Sequence, residues 1–156
     1  MLSELVNLDN IHFASSENLN WEDAIRLAAK PLLANDDVSN NYVDAMINSV
    51  NKNGPYINIG SKIALAHARP EMGVKNLSMS VLKLDKPINL VDSDHKIQLI
   101  FVLAAINSTS HLRALSELAN ILGDKQKLKS LFESKNNNEF LDVILRSEKN
   151  EISSGM

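Results

Sequence analysis

The sequence predicts a single α/β (α+β) sandwich domain, with a mixed, about five-stranded β-sheet flanked by helices on both faces. Three observations carry that prediction. Apolar residues recur at helical spacing near both ends of the chain. Across the middle, 56–106, the period drops to two. Within that middle, "IQLIFVLAAI" (97–106) is apolar on both faces, as a central strand covered on both sides must be. Helices, then strands, then helices make one layered unit. A chain of 156 residues with 44% hydrophobic content suits one core rather than two. No repeat or internal linker interrupts it. The domain is expected to span 1–148, with 149–156 a frayed polar tail.

Each element has its own signal. "IHF" near Ile11 reads as an edge strand. "NWEDAIRLAAKPLLAND" reads as a helix: Asn20 caps, Asp23 follows at capping-box distance, and Trp21, Ala24, Ile25, Ala28, Ala29 and Leu32 form one stripe. Pro31 is expected to kink its last turn. A second helix over 39–51 buries Tyr42, Val43, Met46, Ile47 and Val50, and Asn53-Gly54-Pro55 stops it. "YINI" and "KIALAH" are short strands. "LSMSVLKL" (77–84) alternates, with Leu77, Met79 and Val81 on one face and Ser78 and Ser80 on the other. "VDSDH" reads as a polar loop before the central strand. The "NSTS" turn then opens a helix over about 110–122, with Leu112, Leu115, Leu118, Ala119 and Leu122 buried and Gly123 at its end. Asp124 caps a shorter helix reaching about Glu133, and "NNNEFLDVILRS" forms the last.

Composition excludes several function classes. The formal net charge is -3 and no Lys/Arg block stands out, which argues against a nucleic-acid or anionic-membrane partner. The longest apolar run is too short to span a bilayer, so no membrane insertion is expected. "MLSELVNLDN" lacks a basic n-region, so no signal peptide is expected and a cytoplasmic location is the default. There is no cysteine, which excludes disulfides, thiolate mechanisms and cysteine-based zinc sites. Neither GxxxxGK[ST] nor GxGxxG occurs, so no nucleotide-binding loop is present.

Chemistry therefore falls to the four histidines, His12, His67, His95 and His111. None are spaced i,i+3 or i,i+4, so no helical metal pair exists and no metal is expected. His12 and His95 read as solvated residues of an edge strand and a loop. His67 ends a strand of small residues just before Arg69-Pro70, which sets an imidazole at a sheet end, where open α/β folds collect ligands. Its bland alternative is a histidine hydrogen-bonded under a loop. His111 falls in the first turn of a helix, a place of free N–H groups and partial positive charge. Ser108, Thr109 and Ser110 add hydroxyls that can cap that helix or contact an oxyanion. If the strands carrying His67 and leading to His111 are neighbours, both imidazoles meet at one edge. One can attack phosphorus, and the other can stabilise the phosphoryl oxygens. Without a nucleotide loop, the phosphoryl donor should be another phosphoprotein.

"GPYINIGSKIALAHARPEMGV" and "SHLRALSELANIL" resemble the two active-site stretches of EIIA components of the bacterial phosphotransferase system, fructose/mannitol superfamily. The likeness spans nearly the whole chain in the same element order, and "NGPY" and "HARPE" are most similar to the ascorbate-type branch. Ala66 and "GSK" (60–62) depart from the family's Pro-His and Ala-Pro-Gly patterns. The resemblance implies a cytoplasmic sugar phosphocarrier without a cofactor. His67 would accept a phosphoryl group from phospho-HPr and pass it to a cysteine of an EIIB protein, with an EIIC permease involved only indirectly. His111 would be the second active-site histidine. The mannitol-type pattern has an arginine near position 51, where Asn51 stands here. Its role would pass to Arg69, or to Lys62, with Thr109 and Ser110 as further phosphoryl contacts. The alternative is a regulatory EIIA-like module whose His67 phosphorylation state is sensed by a partner.

Overall fold

The helix starts at Trp21 and Lys125 follow from side-chain caps. Asn20 Oδ1 accepts the Asp23 N–H at 2.8 Å, and Asp124 Oδ1 accepts those of Gln126 and Lys127 at 2.9 and 3.1 Å. The structure, a computed structural model, describes the backbone of residues 2–154 and the side chains of 2–149. In chain order it holds α1 (Leu2–Leu5), β1 (Ile11–Ala14), α2 (Trp21–Ala34), α3 (Asn40–Asn53), β2 (Asn58–Gly60), β3 (Lys62–Ala66), β4 (Ser78–Leu90), β5 (Asp92–Ala104), α4 (Leu112–Leu122), α5 (Lys125–Glu133) and α6 (Asn137–Ser154). The backbone of α6 runs into the expected tail, 149–156, most of whose side chains lie outside the described residues. Among the described residues no helix is long and apolar enough to cross a membrane.

The strands form one mixed sheet in the order β1-β4-β5-β3-β2. β1 pairs parallel with β4, β4 antiparallel with β5, β5 parallel with β3, and β3 antiparallel with β2. The run that is apolar on both faces is the central strand, as its pattern predicts. One face of the sheet packs on α2 and α3, where Ile25, Leu32, Tyr42 and Met46 meet Leu82, Ile100 and Val102. The other packs on α1, α4, α5 and α6, where Leu2, Leu118, Leu131 and Phe140 meet Val81, Leu99 and Phe101.

Three features differ from expectation. On α4 the buried residues are Ala114, Leu118 and Ile121, while Leu112 and Ala119 of the expected stripe are exposed, because the helix turns the Ala114 side of its surface to the sheet. "VDSDH" is not a loop: β4 and β5 are joined through Val91 alone, at φ +67, and Asp92 to His95 are already strand. This distal ribbon is largely solvated, so it carries no apolar alternation to read. Its contacts are polar: Asn89 pairs across the strands with Lys96, and within β5 His95 Nδ1 lies 2.6 Å from Asp92 Oδ1. The serine face of β4 is also covered: Ser80 Oγ donates to Ala28 O of α2 at 2.6 Å. On the opposite face Lys83 is buried, its Nζ donating to Ser134 O at 3.0 Å and lying 5.1 Å from the Phe13 ring. Burial pushes this amine below the usual lysine range.

After β3 the chain turns through a short 3₁₀ segment, Pro70–Met72, and reaches Gly73 at φ +132. The Gly73 carbonyl accepts the Ser39 N–H at 2.9 Å and ties this turn to the start of α3. A Cβ here would stand 2.0 Å from Ser39 Oγ and 3.3 Å from Tyr42 N. Gly73→Ala should therefore lower unfolding free energy by about 2 kcal/mol from backbone strain and the clash, read by urea titration. A loss below about 0.5 kcal/mol would mean the turn is not held as described.

Candidate functional site

Parallel pairing of β3 with β5 decides where the chemistry can lie. Ala66 pairs with Val102, so both strands run out of the same sheet edge, one into His67 and the other into the 105–111 loop that ends at His111. The neighbour relation on which a shared site depends is thus present. Ala64 and Ala66 are fully buried beneath α2 and α3, and their small side chains let those helices lie close to the strand that delivers His67.

The His67 ring is half-buried, with Nδ1 2.8 Å from Leu65 O. A carbonyl only accepts, so Nδ1 carries the hydrogen and the neutral ring keeps its free lone pair on Nε2. Tyr56 stands edge-on to this ring, centroids 5.7 Å apart at 87°, and its hydroxyl lies 2.8 Å from Ser49 Oγ on α3. Together these groups line an open cleft of about 730 Å³ between α3 and the turn after β3. Its charged lining residues are Lys52 and Arg69; no carboxylate lines it. In a chain of net charge -3 that is a local reversal of sign.

Behind the cleft sits Tyr42, fully buried in the first turns of α3. Its hydroxyl accepts the Ala68 N–H at 3.1 Å and donates to Leu103 O at 2.6 Å. Burial pushes its phenol up to about 12, with the Ala68 hydrogen bond opposing and Tyr56 adding slightly. The phenol is therefore neutral at ordinary pH and can serve both bonds.

His111 is the N-cap residue of α4 rather than part of its first turn, and it makes no side-chain capping bond. Its Nδ1 and the Ser110 Oγ are buried and without hydrogen-bond partners, two open valences at the loop. The capping oxygen nearby belongs to Asn107, whose Oδ1 accepts from the N–H groups of Thr109 and Ser110 at 3.0 and 2.8 Å and from Thr109 Oγ1 at 3.1 Å. His111 is not among the residues lining the His67 cleft. The fold thus brings both histidines to one sheet edge, and the cleft itself belongs to His67 and α3.

Of the proposed cations, Arg69 lines the cleft and Lys62 does not. Lys62 begins β3 opposite Ile97, at the far end of the strand, with its Nζ 6.0 Å from the Phe132 ring. Sequence reasoning missed Lys52, Tyr56 and Tyr42 as site residues. Lys52 lies at the C-terminal end of a recognised helix, and its position one residue beyond Asn51 was the available signal. His12 and His95 lie on β1 and on the distal ribbon, in no cleft with His67.

Comparison with known proteins finds relatives over most of the chain. A family described as "Phosphoenolpyruvate-dependent sugar phosphotransferase system, EIIA 2" matches residues 4–147. The mannitol-specific cryptic phosphotransferase enzyme IIA component of Escherichia coli (strain K12) is 31% identical over 126 residues, 81% of this chain and 86% of that protein. The ascorbate-specific PTS system EIIA component of the same organism is 29% identical over 129 residues, 81% of this chain and 84% of that one. The two sugar types are matched almost equally. Among solved structures, the mannitol-specific cryptic enzyme IIA of Escherichia coli superposes with a TM-score of 0.84 at 29% identity, covering 93% of this chain and 98% of that one.

The raised phenol gives a prediction with a definite sign. Between about pH 10 and 12 the unfolded chain loses the Tyr42 proton while the folded chain keeps it. The contribution is fully present below the unfolded value and is lost as pH rises through that window. Stability should fall there by up to about 3 kcal/mol more in the wild type than in Tyr42→Phe, followed by urea titration at each pH. Parallel slopes in the two proteins would show that the phenol is not so buried.

Proposed function

We propose, for a chain that belongs to the EIIA 2 family of the phosphoenolpyruvate-dependent sugar phosphotransferase system and is a phosphotransferase acting through a phosphohistidine, that the phosphorylated atom is His67 Nε2. The observation that carries this is the hydrogen bond from Nδ1 to Leu65 O, in a cleft with two cations and no carboxylate. The donor is phospho-HPr. His67 Nε2 attacks its phosphorus in line with the departing donor nitrogen; one P–N bond forms as the other breaks, and the donor imidazole leaves. A cysteine thiolate of an EIIB partner then attacks the same phosphorus, and His67 leaves as a neutral imidazole. The absence of cysteine from this chain fits a relay whose thiol step lies on the partner. The EIIC permease takes part only through EIIB, and the carrier works in the cytoplasm.

Lys52 and Arg69 are the groups that offset the phosphoryl charge at His67, since both line its cleft. His111 assists from the neighbouring loop, a role supported by its unpartnered Nδ1 and by that of Ser110 Oγ beside it. Thr109 has its hydroxyl on Asn107 and can contribute only by releasing it. For the sugar branch we take the ascorbate type, on "NGPY" and "HARPE" and on Asn51 where the mannitol-type pattern has arginine.

Incubation with Enzyme I, HPr and phosphoenolpyruvate should add one acid-labile, alkali-stable phosphate per chain. His67→Ala should abolish it, and labelling that survives in that variant would overturn the assignment. His111→Ala should still be labelled, but more slowly. Lys52→Met combined with Arg69→Met should slow transfer by about 100-fold, as loss of charge stabilisation at a transferring group does. Unchanged transfer would exclude both cations. Phosphoryl transfer to an ascorbate-type EIIB in preference to a mannitol-type EIIB would support the branch, and the reverse preference would sink it.

A further inference from the structure

We infer that Tyr42 is a positioning residue for phosphoryl transfer, its one hydroxyl locking the segment that carries His67 to the strand that leads to His111. This rests on the reading that His67 is the phosphorylated residue.

The geometry is specific. The residue after His67, Ala68, donates its N–H to Tyr42 Oη, and Tyr42 Oη donates to Leu103 O, one residue before the end of β5. A phenol oxygen has one hydrogen and can accept as well, so the two bonds satisfy it. The Leu103 carbonyl at 2.6 Å takes the hydrogen in preference to the Ala68 carbonyl at 3.4 Å. Three elements therefore converge on one buried oxygen: α3, the exit of β3 and the end of β5. The same α3 supplies Lys52 to the cleft, and its Ser49 holds the Tyr56 hydroxyl that steadies the ring facing His67.

The consequence for His67 follows from its own hydrogen bond. Nδ1 bonds to Leu65 O, two residues back along the chain, so that contact exists only while the backbone through 66–68 keeps its bend. The Ala68 N–H bond to Tyr42 is the fixed point on the far side of that bend. Without the phenol oxygen, Ala68 N–H and Leu103 O lose their shared partner, and the bend can relax to find others. Nδ1 then loosens from Leu65 O, and the proton redistributes between the two ring nitrogens. The fraction of chains with a free lone pair on Nε2, aimed for in-line attack, falls.

The test compares Tyr42→Phe with Ser80→Ala. The second variant also removes a buried hydroxyl bonded to a carbonyl of a covering helix, but it lies on β4, with β5 between it and β3, and bonds to α2. With both variants folded by circular dichroism, single-turnover acceptance from phospho-HPr should drop about tenfold in Tyr42→Phe at an unchanged half-saturating donor concentration, as a small misplacement of reacting atoms produces. Ser80→Ala should stay within about twofold of wild type, because it removes a buried hydrogen bond to α2 without touching the segment that carries His67. Ring nitrogen NMR should find neutral His67 as the Nδ1–H form in wild type and Ser80→Ala, and as a mixture in Tyr42→Phe. Equal rates in the two variants, or an unaltered His67 tautomer in Tyr42→Phe, would overturn the inference. Should Tyr42→Phe fail to fold, amide exchange in the wild type decides: Ala68 protected like the β5 core supports the lock, and Ala68 exchanging like an open loop refutes it. Labelling of His67→Ala is read separately, so loss of the phosphorylation-site assignment is distinguishable from loss of the Tyr42 role.

Discussion

Parallel pairing of β3 with β5 is the constraint on which everything else hangs. Parallel neighbours end at the same edge, so whatever follows the two strands is delivered to one place. Here that is a histidine one residue past β3 and another seven residues past β5. Antiparallel pairing of the same strands would separate these groups by the length of the sheet. The parallel pair must be covered on both faces, because neither strand has a polar side to show to water. That requirement explains helices on both faces, α2 and α3 on one and four helices on the other. The layer that hides β3 is also the layer that supplies the wall of the cleft, since Asn48, Ser49 and Lys52 all belong to α3.

Much of this was legible in the sequence, because it is written in apolar period. The stripes of α2 and α3, the central position of β5 and the edge position of β1 each follow from spacing alone, whereas the stripe of α4 is read one position off, because Ala114 and Ile121 rather than Leu112 and Ala119 face the sheet. The caps at Asn20 and Asp124, which are local chemistry, were legible too. His67 stood out because a polar ring ended a run of small aliphatics. The distal part of the β4–β5 hairpin was not legible: a two-stranded ribbon in solvent needs only cross-strand polar pairs such as Asn89 with Lys96, and these leave no period. Nor was Lys83, whose burial depends on Ser134 and Phe13, far away in sequence.

The cleft cations and Tyr42 mark a second limit. Tyr42 was recognised as a core residue of its helix, which it is. Nothing local says that its hydroxyl would meet Ala68 and Leu103, because that meeting is made by three elements packing together. Lys52 sits at the end of the same helix and reads as a solvated helix terminus until the turn after β3 is laid against it. Spacing identifies which face of an element is buried; it does not identify which buried polar atom completes another element's hydrogen bond.

An open cleft, rather than an enclosed pocket, fits a residue that must be reached twice by other proteins. In the proposed relay both the donor nitrogen and the acceptor sulfur belong to folded partners, and an enclosed His67 would exclude both. The cost of openness is that water reaches the site and little packing remains to hold the imidazole. The chain answers by fixing the ring from below: Nδ1 is tied to its own strand, the following amide is tied to Tyr42, and Tyr42 is tied to the next strand. Nε2 can then stay accessible while the atoms behind it stay fixed. Tyr56 and Met72, large apolar side chains that line the cleft and remain exposed, would offer the partners of the proposed relay apolar contact beside His67.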